Sequence, residues 1–136
     1  MRFAEEGAKI IVNDVNEQDA NNVVDQVKSK GGRAIAVLGS VSDRPTVQKM
    51  VDTAVKEFGT LDIIVNNAGI THSARLAETT TADYDRCMAI NARGPYILCR
   101  EAIPWLGKMG RGYIINISSV VGVKGYPLQT AYGASR

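Results

Sequence analysis

One histidine and two cysteines are all the imidazole and thiol groups in 136 residues, and His72 has no cysteine or acidic cluster close to it. A zinc or iron site needs several such groups converging, so metal chemistry finds no support. Cys87 and Cys99 fall twelve residues apart on one predicted helix, hence roughly 18 Å along its axis, which is too far for a disulfide. They read as ordinary thiols. No apolar run approaches the length of about 18 residues that a membrane-crossing helix needs, and Met1-Arg2-Phe3-Ala4-Glu5-Glu6 lacks the apolar stretch of a secretory signal. A cytoplasmic protein is expected. Charge of one sign is also scarce: 16 lysines and arginines stand scattered against 14 acidic residues, without the basic stripe that nucleic acid or an anionic membrane would need. Neither partner is expected.

The chain has instead a regular alternation, at a length that fits one domain, 1–136. KIIVND (9–14) is a short β-rich run, and the segment up to Lys30 carries Val23, Val24 and Val27 at helical spacing before Gly31-Gly32. RAIAVLG (33–39) repeats the strand signal. Asp43 then caps a predicted helix with Val47, Met50, Val51, Ala54, Val55 and Phe58 on one face, stopped by Gly59. LDIIVNNAG (61–69) opens a third unit, whose predicted helix runs from about Thr81 to Gly107 and leads into YIINISS (113–119). Continuous apolar strands separated by amphipathic helices imply a doubly wound α/β fold: a parallel sheet covered on both faces. Ligands of such sheets bind beyond the carboxyl ends of the strands, which directs attention to Asp14, Gly39-Ser40-Val41, Asn66-Asn67-Ala68-Gly69 and Ser118-Ser119.

Each of these has a chemical reading. An acidic side chain where Asp14 stands accepts hydrogen bonds from ribose hydroxyls and repels a 2′-phosphate, which favours NAD over NADP; its second reading is a cap for the following helix. Ala68-Gly69 lets a flat ligand approach the backbone closely. In TAYGASR (130–136), Tyr132 and Arg136 lie four apart on one predicted helix face. A phenol ordinarily titrates near 10, and a neighbouring cation is what makes such a group a useful base near neutrality. Pro95 cannot donate a hydrogen bond to the carbonyl four residues back, that of Asn91, which is then free for a water; a simple helix break at Gly94-Pro95 is the alternative. His72 reads as a surface loop residue and Trp105 as helix-end packing or part of an oligomer face.

NNAG after a buried strand, the asparagine of MAINARG, INISS and YGAS(R) thirteen residues beyond Ser119 together resemble the short-chain dehydrogenase/reductase family. The resemblance covers the whole chain and implies a three-layer Rossmann sheet of strand order 3-2-1-4-5-6-7 that transfers hydride between NAD or NADP and an alcohol or carbonyl. It implies Tyr132 as general acid/base, Ser119 as the group orienting the substrate oxygen, Asn91 as a water-holding relay and Arg136 at the position where the family carries lysine. Asp14, Ser40, Val41, Asn67, Ala68, Gly69 and Tyr132 are the implied cofactor contacts, with Ser40 in place of the usual aspartate. Relatives in the oxoacyl-carrier-protein reductase and sugar or steroid dehydrogenase group are implied, and family members often form homodimers or homotetramers.

Against the family pattern, a first strand with its T-G-x-x-x-G-x-G turn has no counterpart, and Met1 to Gly7 resembles the tail of the helix that follows that turn. The resemblance therefore implies an incomplete sheet in a partial NAD(P)-binding domain, with no central strand between the strand ending at Asp14 and the one ending at Asn66. These two either pair directly or leave unsatisfied inner edges. Rival readings are a truncated, inactive piece with an interaction role and a nucleotide-sugar epimerase relative, against which NNAG and INISS argue.

Overall fold

The computed structural model describes residues 1–108 and 110–136. A single helical turn, α1 (Arg2–Glu5), precedes β1 (Ile10–Asp14), α2 (Glu17–Ser29), β2 (Ala34–Leu38), α3 (Arg44–Phe58) and β3 (Ile63–Asn66). Then follow α4 (Thr81–Met88), α5 (Gly94–Ala102), β4 (Tyr113–Asn116) and α6 (Thr130–Ser135). The caps match their chemistry. Asp43 accepts from the Thr46 N–H at 3.1 Å to start α3, and Gly59, at φ 82°, ends it in the left-handed conformation that glycine adopts without strain.

The expected helix over Thr81 to Gly107 is broken into pieces. A π-helical turn, Ala89–Arg93, separates α4 from α5, and α5 ends at Ala102, two residues before Pro104. Proline bears on both features, since it lacks the N–H that an α-helix requires, although Gly94 and Ile103, the residues before the two prolines, keep helical dihedrals.

β1 pairs with β2 and β3 with β4, both in parallel, so the family's layered α/β arrangement is present as two separate two-stranded sheets. On β1 the side chains alternate: Ile10 and Val12 pack with Val24 and Val27 of α2, while Ile11 faces Met50, Val51, Ala54 and Phe58 of α3. Helices thus cover both faces of this sheet. A second core joins Val47 and Val51 of α3, Ile64 of β3, and Ile97, Leu98 and Ala102 of α5. All four residues of β4 are exposed.

Of the two outcomes open to the strands on either side of the gap, the structure has the unpaired one. No backbone hydrogen bond joins β1 to β3 among the described residues, and a cleft of about 520 Å³ lies between them, lined by Ile10, Ile11, Ile63, Ile64 and Val65. The ends of the ladders identify which groups face it. Ile10 N–H donates to Arg33 O at 2.9 Å and Gly39 N–H to Asp14 O at 3.0 Å, so Ile10, Val12 and Asp14 spend their backbone groups on β2. The alternate residues, Ile11 and Asn13, present theirs to the cleft. By the same alternation, set by Tyr113 N–H to Asp62 O and Ile117 N–H to Asn66 O, Ile63 and the N–H of Val65 do so from β3, while Val65 O accepts from Asn67 N–H at 3.1 Å.

Amide hydrogen exchange should therefore separate neighbours on the same strand: Val12 and Ile64 protected, Ile11, Ile63 and Val65 exchanging faster by about tenfold or more. Equal protection along both strands would mean that β1 and β3 pair after all. A second prediction concerns Gly94, where an added Cβ would stand 2.8 Å from Val41 Cγ2. Gly94→Ala improves helix propensity yet overpacks this contact, so urea denaturation should report a net loss of about 1–3 kcal/mol.

Candidate active site

The carboxyl ends of the strands carry the polar residues. Asn66 and Asn116 are register partners at the end of the second sheet, and Asn66 Nδ2 donates to Asn116 Oδ1 at 2.8 Å, with the Cys99 sulfur 3.5 Å away. Asn67, Ala68 and Gly69 follow as an exposed turn, folded by a bond from Asn67 N–H to Val65 O at 3.1 Å.

Asn91 sits at the middle of the π-helical turn, only 5% exposed. Gly94 N–H donates to Ala89 O five residues back, and Pro95 has no N–H to offer the Asn91 carbonyl. The wider turn aims the Asn91 carboxamide at the backbone beyond Gly69. Its Oδ1 accepts from Ile70 N–H at 2.8 Å, and its Nδ2 donates to Ile70 O and to Ser135 Oγ, each at 2.8 Å.

α6 begins at Thr130, has no side-chain cap and brings Tyr132 and Arg136 onto one face. The Arg136 guanidinium carbon lies 5.7 Å from the centre of the Tyr132 ring, within cation–π range. Arg136 Nη1 donates to Ile117 O at 2.9 Å, and the guanidinium rests against Gly69, where a Cβ would overlap it. Among the described residues, Arg136 Nε is buried without a hydrogen-bond partner. Ser119 opens a short 3₁₀ turn, Val120–Gly122, that packs against α6; its Oγ accepts from Val121 N–H at 3.4 Å. A cavity of about 330 Å³ behind these groups is lined by Asn66, Asn91, Asn116, Ser118, Ser135 and Arg136.

The first sheet contributes the remaining candidates. Asp14 Oδ1 accepts from Asn16 N–H at 2.9 Å, and the helix cap is Asn16, which accepts from Gln18 N–H at 2.9 Å and Asp19 N–H at 3.3 Å. The reading of Asp14 as the cap of α2 is thereby corrected: a residue two positions later already fills that role. Ser40 Oγ is 2.8 Å from Ser42 Oγ, and Val41 touches Gly94. Asn91, Ser119, Tyr132, Arg136 and the Asn67–Gly69 turn thus gather around α6, while Asp14 and Ser40 end the sheet across the cleft and Val41 bridges to α5.

His72 departs from the surface position expected of it. Its side chain is 23% exposed, Nδ1 lies 3.9 Å from Asp83 Oδ1, and Nε2 is buried without a partner. The loop folds back because Ala74 N–H donates to Leu128 O at 3.0 Å and Gln129 Nε2 to Ser73 Oγ at 2.6 Å. The Thr80 hydroxyl and N–H hold the Asp83 carboxyl below its ordinary range through the capping box that starts α4. Cys87 is fully buried, which pushes its thiol up; it is inert packing. Trp105 packs against the second core, with Lys108 Nζ 3.6 Å from its ring centre.

Sequence reasoning did not single out Ser135, Asn116 or the Ile70 backbone. The only available signals were the matching IIVN and YIIN strand ends and a serine three residues after the tyrosine.

Comparison with known proteins gives this geometry a lineage. Residues 1–136 match the family described as short chain dehydrogenase. An uncharacterized oxidoreductase of Thermotoga maritima is 40% identical over 134 residues, covering 98% of this chain and 53% of that protein. A probable tetrahydroxynaphthalene reductase of Zymoseptoria tritici is 41% identical over 138 residues, covering 100% of this chain and 51% of the relative. A crystal structure of a dehydrogenase/reductase from Sinorhizobium meliloti 1021 superposes with a TM-score of 0.91 at 40% identity, covering 98% of this chain and 53% of that one. The chain spans about half the length of the curated relatives it matches. The match along all 136 residues, together with these identities, shows that the chain belongs to the short chain dehydrogenase family.

Proposed function

We propose that residues 1–136 form part of an NAD(P)-binding domain whose site moves hydride between a nicotinamide dinucleotide and a secondary alcohol or ketone. The observation that carries this reading is the pairing of Tyr132 with the Arg136 guanidinium on a helix tied, through Asn91, to the turn after Gly69. Two features suit a dinucleotide. The turn at Gly69 is exposed and has no Cβ, and the Arg136 guanidinium occupies that space, so a planar group arriving there meets the cation directly; Asp14 keeps its second carboxylate oxygen without a hydrogen bond among the described residues, available to ribose hydroxyls. Asp14, Ser40 and Val41 would hold the adenosine end, and Asn67, Ala68, Gly69 and Tyr132 the nicotinamide end. When bound, the nicotinamide supplies the hydride acceptor or donor.

The chain's own groups handle the proton. Tyr132 Oη takes the proton from a substrate alcohol, or returns it to a ketone oxygen, with the Arg136 charge beside its ring. Ser119 already accepts a backbone N–H, so its own hydroxyl hydrogen remains to orient the substrate oxygen. The Asn91 carbonyl, left without a proline N–H, holds a water that links the phenol to solvent. NAD is preferred over NADP because Asp14 repels a 2′-phosphate. A cytoplasmic setting agrees with two free thiols, and pairing of subunits with the exposed Tyr96 and Ile103 on and after α5. A second reading, that these 136 residues do not act alone, is favoured by the open cleft between β1 and β3.

Fluorescence titration of the purified chain with NADH and NADPH distinguishes the two readings. Saturable binding, tighter for NADH, supports the oxidoreductase site, and Asp14→Ala should weaken NADH by about tenfold and narrow the preference. No saturable binding supports the second reading. In a preparation that turns over, Pro95→Ala restores an N–H to the Asn91 carbonyl and should change the pH dependence of turnover. An unchanged profile removes that carbonyl from the proton path.

A further inference from the structure

The side chain between the phenol and the guanidinium in the chain, Ser135, carries no role in the site proposed above, yet it is 7% exposed and fully engaged. Ser135 Oγ accepts from Asn91 Nδ2 at 2.8 Å and donates its single hydrogen to Tyr132 O at 2.8 Å. Asn91, in turn, spends its other bonds on both backbone groups of Ile70, each at 2.8 Å. The direction of this chain is determined by inventory. An amide nitrogen only donates, so Ser135 must accept from Asn91, and its one hydroxyl hydrogen is then left for the carbonyl three residues back.

α6 has six residues and no side-chain N-cap, too short to hold its own shape. What anchors it is tertiary: the buried Ala131, the Ser135 hydroxyl seated on Asn91, and at its end the bonds from Arg136 Nη1 to Ile117 O at 2.9 Å and from Ser118 Oγ to Arg136 O at 2.7 Å. Ser135 stands three residues after Tyr132 and one before Arg136, and it is the link from this face of α6, through Asn91, to the turn at Gly69–Ile70, whereas Arg136 is tied separately to Ile117 and Ser118. We infer that Ser135 is a positioning residue that locks the Tyr132–Arg136 face of α6 to the Asn67–Ile70 turn through the Asn91 carboxamide. This inference rests on the oxidoreductase reading for its consequence, since the distance it maintains is the one a nicotinamide would have to fit. Without the hydroxyl, Asn91 Nδ2 and Tyr132 O each lose a buried partner, and the cheapest relief is for α6 to move off the turn.

Two variants test it in the 136-residue chain. Ser135→Ala deletes the hydroxyl, and Ser135→Thr keeps one that can still reach the carbonyl three residues back. By NMR, Ser135→Ala should speed exchange of the Ile70 amide and the Asn91 side-chain amide by about tenfold or more, and weaken contacts between the Arg136 side chain and Gly69. Amides of β1 and β2, across the cleft, should be unaffected. Ser135→Thr should return all three signals close to the original. NADH affinity should follow the same order, original and Thr alike and Ala weaker by about tenfold.

Three results would overturn the inference: Ile70 exchange and Arg136–Gly69 contacts unchanged by alanine, a threonine variant that behaves like alanine, or protection lost evenly across both sheets. The last would indicate a general loss of stability. If the original chain fails to bind NADH while alanine still loosens Ile70 and threonine restores it, the oxidoreductase reading falls and the positioning role of Ser135 stands.

Discussion

The carboxamide of Asn91 is the joint on which the candidate site depends. It is buried, and each of its three hydrogen bonds reaches a segment distant in sequence: Ile70 twice, 21 residues away, and Ser135, 44 residues away. An amide buried without partners would cost about 1–3 kcal/mol for each orphaned group, so the three segments are held to one geometry more firmly than apolar packing alone would hold them. The π-helical turn is what allows it. Pro95 removes an α-helical bond at this point, the helix widens over Ala89–Arg93, and the side chain at its centre points into the protein.

If Asn91 organises the site, α3 organises the rest. A pair of strands has little stability in water by itself, and this fold contains two such pairs with a cleft between them. α3 packs on β1 and β2 with one part of its surface and on α5 with another, and Val47 and Val51 join Ile64 and Leu98 in the larger core. At the solvent edge Arg44 Nε meets Glu101 Oε1 at 2.9 Å between α3 and α5, an exposed pair worth little beside the buried valines. The relation between the two sheets therefore rests on helix packing. Val41 against Gly94 is a close contact at the site end, and it is close because glycine has no Cβ to prevent it.

Much of this was legible in the residues. The apolar runs marked all four strands to within a few positions, Asp43 and Gly59 bounded α3 by their capping chemistry, and the NNAG, INISS and YGAS motifs identified the family. Three kinds of feature were not legible. Periodicity runs 81–107 together as one helix: Gly94-Pro95 offered a break at that point, but the spacing gave no sign of the π-helical turn over Ala89–Arg93 or of the end of α5 at Ala102. Adjacent candidates for one job compete locally, and Asn16 rather than Asp14 caps α2 because its side chain reaches two free N–H groups from a β-region backbone. Last, a hydroxyl with a tertiary partner looks like any surface serine in one dimension. Ser135 acquires meaning only when a residue 44 positions earlier is brought to it.

Arg136 shows how a substitution alters a site while keeping its charge. A lysine would present one compact ammonium on a flexible stem; arginine presents a planar fork that needs room and several acceptors. Here the fork finds one strong acceptor, the Ile117 carbonyl, and gains its room from Gly69, whose missing Cβ leaves the space that the Nη2 end of the guanidinium occupies. The cost is visible in its buried Nε, which has no partner. A guanidinium free to choose would turn that donor to water or a carbonyl, so its orientation is imposed by the glycine face, the strand end and the Tyr132 ring. The cation at this position is consequently held over the aromatic ring by three neighbours, and it enters the site as a rigid plane that any ligand approaching Gly69 must meet.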